Sequence, residues 1–175
     1  MGPTISRLRR KTPGQRDVWR LDEGVVSING EKRYLWRAVD QDGYVLDEIV
    51  QVHRNTKAAK RLLTRLLRKQ GSLPKRIVTD KLGSYAAAKR SIMPDVEHLS
   101  HKGSNNRAEN SHVPIRKRER IMQGFRSWRG LQRFVLTFTA IRNPFVPPRS
   151  RRSAFATHPH RLSAMAEWKA VTVSA

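Results

Sequence analysis

The chain has 175 residues and carries 36 Lys or Arg against 14 Asp or Glu, which gives a formal net charge of +22. This charge favours a polyanionic partner, of which nucleic acid is the default, although a ribosomal-type or merely basic protein would have the same composition. The absence of cysteine excludes disulfides and thiolate zinc sites. No apolar run approaches the roughly 20 residues that span a bilayer.

The first predicted elements are three antiparallel strands that follow a basic arm. Residues 1–17 have no apolar run and are expected to be disordered. Asn29 and Gly30 lie between apolar runs and predict a tight hairpin, because both residue types accept positive φ. Asp42 and Gly43 mark the next turn. The strands that flank these turns are predicted at residues 18–28, 32–40 and 44–52.

Helices and strands alternate in the next part of the chain. A helix is predicted from Asn55 or Thr56 to about Gln70, with leucines and alanines on one face and basic residues around them. Gly71 and Pro74 end this helix. The elements predicted after it are a strand at residues 76–80, an Ala-rich helix at residues 84–92 and a short strand at residues 96–100.

Two further helices are predicted beyond this strand. The first begins near Ser104 or Asn105, and Pro114 is expected to kink or end it, because proline lacks the amide hydrogen and clashes with the preceding turn. Apolar residues from Trp128 to Ile141 recur at helical spacing. They indicate a helix that packs in the core more than a platform for stacking bases.

These elements are expected to form one domain at residues 18–145. Residues 146–175 contain several prolines and an arginine cluster and are predicted to be a basic tail. One short helix is expected within this tail, at residues 163–169.

Three acids stand alone in basic sequence. Asp80 is the only acid between residues 49 and 94, among twelve Lys and Arg, and Glu109 is the only acid between residues 98 and 118. Asp22 lies in the first predicted strand, Asp80 at the end of the fourth and Glu109 on a later helix. Because ligands gather outside the carboxyl ends of strands in α/β sheets, the three carboxylates are expected to converge. Such oxygen ligands suit Mg²⁺ or Mn²⁺, and two ions of this kind support phosphodiester chemistry.

Each of these acids also has an ordinary structural interpretation. Asp22 is compatible with an exposed position in an edge strand, and Asp80 with the N-cap of the following helix. Glu109 is compatible with a salt bridge to Arg116 or to neighbouring charges on its helix. The residues alone leave these alternatives open.

Basic and amide side chains near the third acid are candidates for DNA contacts. The first three of them are expected to position the Glu109 helix or to contact DNA: Asn105, Asn106 and Arg107. The net charge favours a DNA track over a solvated face for the basic run that follows. The predicted DNA-contacting residues are Lys81, Asn105, Asn106, Arg107, Arg116, Lys117, Arg118 and Arg120.

The histidines and the remaining acids of the strand region are weaker candidates. His112 lies one turn after Glu109 and is expected either to contact a phosphate or to pack locally. His98 and His101 suggest zinc only weakly, because they have no cysteine partners and no paired spacing on one helix. Four acids are expected to be turn or exposed strand residues instead of ligands: Asp40, Asp42, Asp47 and Glu48.

Four longer segments carry a more specific signal. They are WRLDEGVVSINGEKRYLWRAVDQDGYVLD at residues 19–47, NTKAAKRLL at residues 55–63, RIVTDKLGSYAAA at residues 76–88 and NNRAENSHVPIRKRERIMQGF at residues 105–125. These segments resemble the DDE transposases of bacterial insertion sequences, in particular the group with compact elements that move by cointegrate formation. The resemblance covers roughly residues 17–145. It implies an α/β fold of the RNase H-like type, in which three antiparallel strands and then parallel strands form a mixed sheet flanked by helices.

The resemblance also implies a role for each isolated acid. It makes Asp22, Asp80 and Glu109 the three catalytic and metal-binding acids, and Arg116 the basic residue seven positions after the glutamate. The implied activity is a nick at the ends of the element and transfer of a 3′-hydroxyl to target DNA, with two Mg²⁺ ions, or Mn²⁺. The implied partners are DNA and further copies of the chain, in the bacterial cytoplasm with the nucleoid and without a membrane.

Members of this family usually carry a helix-turn-helix region ahead of the catalytic domain. Only 17 residues precede the first predicted strand here, so we expect a shortened copy or an alternative start. The alternative function is therefore a truncated, catalytically inactive relic that binds DNA non-specifically.

Overall fold

The computed structural model describes residues 17–80, 83–101, 103, 105–148 and 153–173. The strands in these residues are β1 (Val18–Ile28), β2 (Glu31–Val39), β3 (Val45–Gln51), β4 (Arg76–Thr79) and β5 (Glu97–Ser100). The helices are α1 (Thr56–Gln70), α2 (Gly83–Ile92), α3 (Asn106–Ile121), α4 (Trp128–Arg142), a 3₁₀ turn (Asn143–Phe145) and α5 (Ala154–Val173). None of the described helices combines the length and apolarity that crossing a membrane requires.

The strands form one mixed sheet in the order β3-β2-β1-β4-β5. The β1–β2 and β2–β3 pairs are antiparallel, whereas β4 runs parallel to both β1 and β5. Asn29 and Gly30 close the β1–β2 hairpin with φ angles of 49° and 78°, so the predicted turn is confirmed. The topology confirms the predicted α/β class and places β1 between β2 and β4.

Alternation along β1 divides the core into two layers. Leu21 packs with the apolar faces of α1 and α2 on one side of the sheet. Val26 packs with residues of α3 and α4 on the other side. Because successive side chains of a strand point to opposite faces, Asp22 belongs to the α3 side and Glu23 to the α1 side.

Helix α1 follows its local sequence signals. The Asn55 side chain accepts a hydrogen bond from the Ala58 amide at 3.0 Å, and Gly71 ends the helix with a φ of 68°. The buried face holds the predicted alanines and leucines: Ala58, Ala59, Leu62, Leu63 and Leu66. Full burial of one leucine contributes roughly 1.5–3 kcal/mol, so this face fixes α1 against the sheet.

Helix α3 runs through Pro114 without ending, so a predicted end at this residue is wrong. Three residues of one helix face are buried: Ala108, His112 and Ile115. Their packing outweighs the amide hydrogen bond that proline cannot make. Because the helix continues, Arg116 lies two turns beyond Glu109 on the same side.

Helix α4 covers the free edge of β3. Gln132 accepts a hydrogen bond from the Val50 amide at 2.8 Å and donates one to the Glu48 carbonyl at 3.2 Å. Asn143 makes the same two bonds with Val45, at 3.0 and 2.8 Å. These side chains satisfy backbone groups that an edge strand otherwise offers to another strand.

The predicted apolar stripe of α4 is buried only in its middle. Leu131 and Val135 are buried, whereas Trp128 is 56% exposed and Ile141 is 38% exposed. Helical spacing predicts which residues share a face, but not how far the sheet extends beneath that face.

The predicted tail contains a longer helix than expected. Helix α5 spans 20 residues instead of residues 163–169. The Ser153 hydroxyl accepts a hydrogen bond from the Ala156 amide at 3.1 Å, which starts the helix earlier, and Pro159 lies within it. Residues 1–16 of the predicted arm lie outside the described residues, and the domain limits remain predictions.

Candidate active site

Asp22 lies in β1, on the face of the sheet that α3 covers. Its side chain is only 13% exposed, and burial raises its pKa to about 7. Three neighbouring carboxylates add to this rise, those of Glu23, Asp80 and Glu109. The alternative of an exposed edge strand is wrong, because β1 is an interior strand of the sheet.

Asp80 directly follows β4, at the carboxyl end of that strand. The register pairs Arg20 of β1 with Val78 of β4, so two residues further on Asp80 reaches the level of Asp22. The Asp80 carbonyl accepts a hydrogen bond from the Thr79 hydroxyl at 2.7 Å, which fixes the backbone where the strand ends. The Asp80 side chain is 30% exposed and therefore accessible from solvent.

Glu109 is exposed in the first turn of α3. The start of this helix is attached to β1 beside Asp22, because the buried Asn105 side chain donates a hydrogen bond to the Leu21 carbonyl at 2.7 Å. The Glu109 amide in turn donates to the Asn105 carbonyl at 3.2 Å. Glu109 is therefore one helical turn from a fixed point in the sheet.

Asp80 and Glu109 both lie close enough to Asp22 to raise its pKa electrostatically. In the described part of the chain, however, no three acidic or histidine side chains are grouped closely enough to hold one metal ion as they stand. Asp80 is oriented toward Arg54, with Oδ2 3.5 Å from Nη2.

Glu23 is a fourth acid at this end of the sheet, and the sequence analysis did not single it out. Strand alternation turns it to the opposite face from Asp22, where its side chain is 1% exposed. Arg54 Nε donates a hydrogen bond to Glu23 Oε1 at 2.6 Å, and the same guanidinium approaches Asp80. Burial raises the pKa of Glu23, and burial together with Glu23 raises the pKa of the adjacent Tyr85. The sequence feature that could have indicated Glu23 is the Asp-Glu pair in a strand otherwise free of acids.

His112 fills the space between α3 and β1. Its ring is buried, and Nε2 lies 3.4 Å from Asp22 Oδ2. Burial lowers the pKa of His112 to about 3, with Arg37 and Arg116 adding to the effect, so the imidazole is neutral at pH 7. Gly24 makes room for the ring, because a β-carbon at Gly24 would lie 2.7 Å from His112 Nδ1. Of the two interpretations of His112, local packing is the one that this geometry supports.

The weak zinc interpretation of His98 has a simpler structural explanation. His98 Nε2 lies 2.9 Å from the Thr79 hydroxyl, and burial lowers the pKa of the histidine. His98 and His101 belong to no group of three potential metal ligands among the described residues. His98 therefore joins β5 to the end of β4.

The other acids of the strand region divide into two kinds. Asp40 and Asp42 are turn residues as predicted, and Asp40 Oδ1 accepts the Asp42 amide at 2.7 Å. Asp47 and Glu48 are buried, so their prediction as exposed strand residues is wrong. Both pair with arginines, which periodicity along one strand cannot reveal.

The predicted DNA-contacting residues also divide into two groups. Asn105 is buried, and the Arg107 guanidinium donates a hydrogen bond to the Gln41 carbonyl, so both attach α3 to the strands. Because Asn105 is fully buried, its geometry supports the first of its two predicted roles, positioning of the Glu109 helix. Lys81 lies outside the described residues. The exposed members of the set are Asn106, Arg116, Lys117, Arg118 and Arg120.

The fold and the acids together define a class of protein. The strand order β3-β2-β1-β4-β5 is the RNase H-like arrangement that the sequence predicts, and Asp80 lies at the carboxyl end of a strand, where ligands of α/β sheets gather. Comparison with known families narrows this class. A family described as "DDE domain" (DDE_Tnp_IS240) matches residues 16–146, and the chain belongs to this family of transposases.

Proteins named as transposases are among its curated relatives. The chain is 32% identical over 107 residues to the transposase for insertion sequence-like element IS431mec of Staphylococcus aureus, covering 58% of this chain and 47% of the relative. The same values hold for the transposase for insertion sequence element IS257 in transposon Tn4003 of S. aureus. The chain thus spans about half the length of these curated relatives.

Solved structures share the fold at low sequence identity. The catalytic core domain of BIV integrase has a TM-score of 0.53 and 13% identity, with 89% of this chain and 99% of that chain covered. A chain in the structure of the simian T-cell lymphotropic virus intasome in complex with PP2A regulatory subunit B56 gamma has a TM-score of 0.50 and 16% identity, with 79% of this chain and 52% of that chain covered. These similarities confirm the RNase H-like fold.

Proposed function

We propose that this chain is the catalytic domain of a bacterial insertion-sequence transposase, which nicks DNA and joins a 3′-hydroxyl end to target DNA. The observation that carries the proposal is the excess of carboxylates around Asp22. Burial and three neighbouring carboxylates raise the pKa of Asp22 to about 7. Two of these neighbours, Glu23 and Asp80, share the cation of Arg54. Such an arrangement is costly in a folded protein unless further positive charge completes it.

Divalent metal ions fit this end of the sheet. Carboxylate oxygens are the ligands that Mg²⁺ and Mn²⁺ prefer, and added positive charge would return the pKa of Asp22 toward its usual range. Asp22, Asp80 and Glu109 are the residues proposed to hold two such ions. When bound, the ions supply an activated hydroxyl or water and stabilise the leaving oxygen of a phosphodiester.

The other residues of the site orient these acids and hold the nucleic acid. His112 and Asn105 fix the positions of Asp22 and of the start of α3. The exposed basic residues of α3, from Arg116 to Arg120, lie further along the helix that carries Glu109 and are proposed to bind the phosphate backbone. The proposed partners are the element ends, target DNA and further copies of the chain, in the bacterial cytoplasm and nucleoid.

A relic that binds DNA without catalysis is the second candidate. It is favoured by the fact that no three potential ligands in the described residues are already grouped around one point. This alternative predicts salt-dependent DNA binding without sequence preference and without turnover when metal is added.

Strand transfer distinguishes the two candidates. The full chain is incubated with a pre-nicked oligonucleotide from the element end, a plasmid target and Mg²⁺ or Mn²⁺. Asp80→Asn is expected to lower the rate by roughly 10³-fold or more, because the contribution of a catalytic metal ion is several kcal/mol. The matched control is Asp95→Asn, which removes an exposed acid outside the site and should retain full activity.

Two results would contradict the catalytic proposal. Strand transfer that survives Asp80→Asn would show that the reaction does not use the assigned acids. DNA binding without any metal-dependent product, in a chain that is folded by circular dichroism, would favour the relic.

A further inference from the structure

A groove of about 990 Å³ runs between β3, α1 and α4, beside the site but outside it. Its floor is apolar and comes from Ile49 and Val50 of β3, the following Val52, and Leu136 of α4. Trp128, the first residue of α4, lines the groove and is more than half exposed. An exposed indole beside an apolar floor is a surface that commonly binds a flat ligand.

The walls of this groove are strongly basic. Five Lys or Arg side chains line it: Arg33, Lys57, Lys60, Arg61 and Arg65. Two of them already pair with acids outside the groove, Arg33 with Glu31 and Arg65 with Asp47. No acidic side chain lines the described part of the groove. Basic walls with an exposed aromatic ring are the combination by which proteins hold single-stranded nucleic acid, because cations follow the phosphates while bases stack on the ring.

Other occupants fit these features less well. A second copy of the chain has the same net charge of +22 and would place cations against cations. An added β-strand is blocked at Glu48 and Val50, because Gln132 already bonds to both backbone groups. A single-stranded nucleic acid needs neither acidic side chains nor a free strand edge.

The groove and the proposed active site meet at residues that are adjacent in the chain. His53 and Asn55 line the groove, and Arg54 between them contacts Glu23 and Asp80. One backbone segment therefore borders the acids on one side and the groove on the other.

We propose that this groove binds a single-stranded DNA segment continuous with the strand at the acids, with one base stacked on Trp128. The inference rests on the proposed function, since it assigns a path to the same DNA substrate. The exposure of Trp128 corrects the expectation that this residue belongs to the core. The proposal also assigns a ligand to the basic face of α1.

Binding of a short single strand tests the groove without catalysis. The probe is a fluorescein-labelled oligothymidine of about ten nucleotides, with the full chain in EDTA at about 0.1 M salt, measured by fluorescence anisotropy. Trp128→Ala is expected to weaken binding about tenfold, the scale of one lost base stack. The double variant Lys60→Glu/Arg61→Glu is expected to weaken it at least as much, through lost phosphate contacts.

The matched control reverses two exposed charges outside the groove, Arg161→Glu and Lys169→Glu on α5. This control is expected to change affinity less than threefold, with all variants compared for folding by thermal melting. Equal weakening by the control and the groove variants would overturn the proposal, because binding would then follow net charge alone. Unchanged affinity in Trp128→Ala, with a change in sedimentation, would also overturn it and identify the groove as an interface between copies.

The experiments distinguish failure of the groove proposal from failure of the proposed catalytic function. The Asp80→Asn chain is expected to bind the oligothymidine as tightly as the unmodified chain, although strand transfer is lost. If Asp80→Asn keeps strand transfer, the catalytic assignment fails whatever the groove binds. If Trp128→Ala keeps oligothymidine affinity while Asp80→Asn abolishes transfer, the groove proposal alone fails.

Discussion

Two clusters of buried carboxylates lie in this sheet, and they differ in how their charge is balanced. In the β2–β3 cluster, Glu48 Oε2 lies 3.0 Å from the guanidinium of Arg37, and both side chains are almost fully buried. Asp47 meets two cations, Arg65 at 2.9 Å and Lys69 at 3.2 Å. Each acid of this cluster therefore has at least one basic partner of its own.

In the cluster around Asp22, the acids outnumber their basic partners. Arg54 is shared by Glu23 and Asp80, while the side chain next to Asp22 is a neutral histidine. In the β2–β3 cluster the acid–base pairs join the strands to each other and to α1, although burial also raises the pKa of Glu48. The Asp22 cluster stores unfavourable charge, which is the expected condition of a site that accepts a cation.

Glu48→Gln is the largest expected change in stability. It leaves Arg37 buried without its counterion, so we expect the free energy of unfolding to fall by about 3–5 kcal/mol, measured by urea denaturation. The double variant Arg37→Met/Glu48→Leu should lose much less, because it removes both charges. A loss below about 1 kcal/mol for Glu48→Gln would show that the pair does not stabilise the fold.

Asp22→Asn, in the Asp22 cluster, is expected to raise the free energy of unfolding instead of lowering it. The pKa of Asp22 is about 7 in the folded chain against an ordinary value of 3.8. The folded state therefore binds more protons between these values, so the free energy of unfolding falls as pH rises from about 4 to 7. The variant removes this loss and should be more stable above pH 7 by up to about 4 kcal/mol.

Urea denaturation of both chains at several pH values, in EDTA, checks this expectation. The difference in unfolding free energy should grow between about pH 4 and pH 7 and then stay constant. Saturating Mg²⁺ should reduce the difference, since the ion stabilises the charged carboxylate. A difference that does not change with pH would contradict the assigned pKa.

Gly24→Ala tests whether His112 and Asp22 depend on the close approach of β1 and α3. The new β-carbon would lie 2.7 Å from His112 Nδ1, so the imidazole must move. We expect a loss of about 1–3 kcal/mol and weaker stabilisation by Mg²⁺ in thermal melting. Gly83→Ala is the control, because no atom lies within 4 Å of its added β-carbon. Equal behaviour of the two variants would contradict the role of Gly24.

The ion pair between Arg76 and Glu97 should have the smallest effect. Its side chains are 36% and 47% exposed, although Arg76 Nε lies 2.7 Å from Glu97 Oε2. Solvent screens such pairs, so Glu97→Gln is expected to change stability by less than about 0.5 kcal/mol in urea denaturation. A loss of stability close to that of Glu48→Gln would show that burial does not determine how much an ion pair contributes to stability.

Short-range chemistry explains which parts of the fold were predictable. The Asn29-Gly30 hairpin and the Asn55 cap of α1 depend on the conformational preferences of adjacent residues, and both are present. The expected end of α3 at Pro114 failed because a local rule competed with burial of a helix face. The length of α5 was missed for a similar reason, since the Ser153 cap acts ten residues before the predicted start.

The sequence by itself determined the charge of this protein, the order of its strands and helices and the three isolated acids, because these depend on residue identity and neighbouring residues. Only the tertiary structure decided that His112 packs against Asp22 and that Arg54 joins Glu23 to Asp80. It also decided that Trp128 lines a basic groove with more than half of its surface exposed, while the Arg129 guanidinium lies over its ring. Contacts of this kind join residues far apart in the chain, and no spacing along one element encodes the distance between two elements.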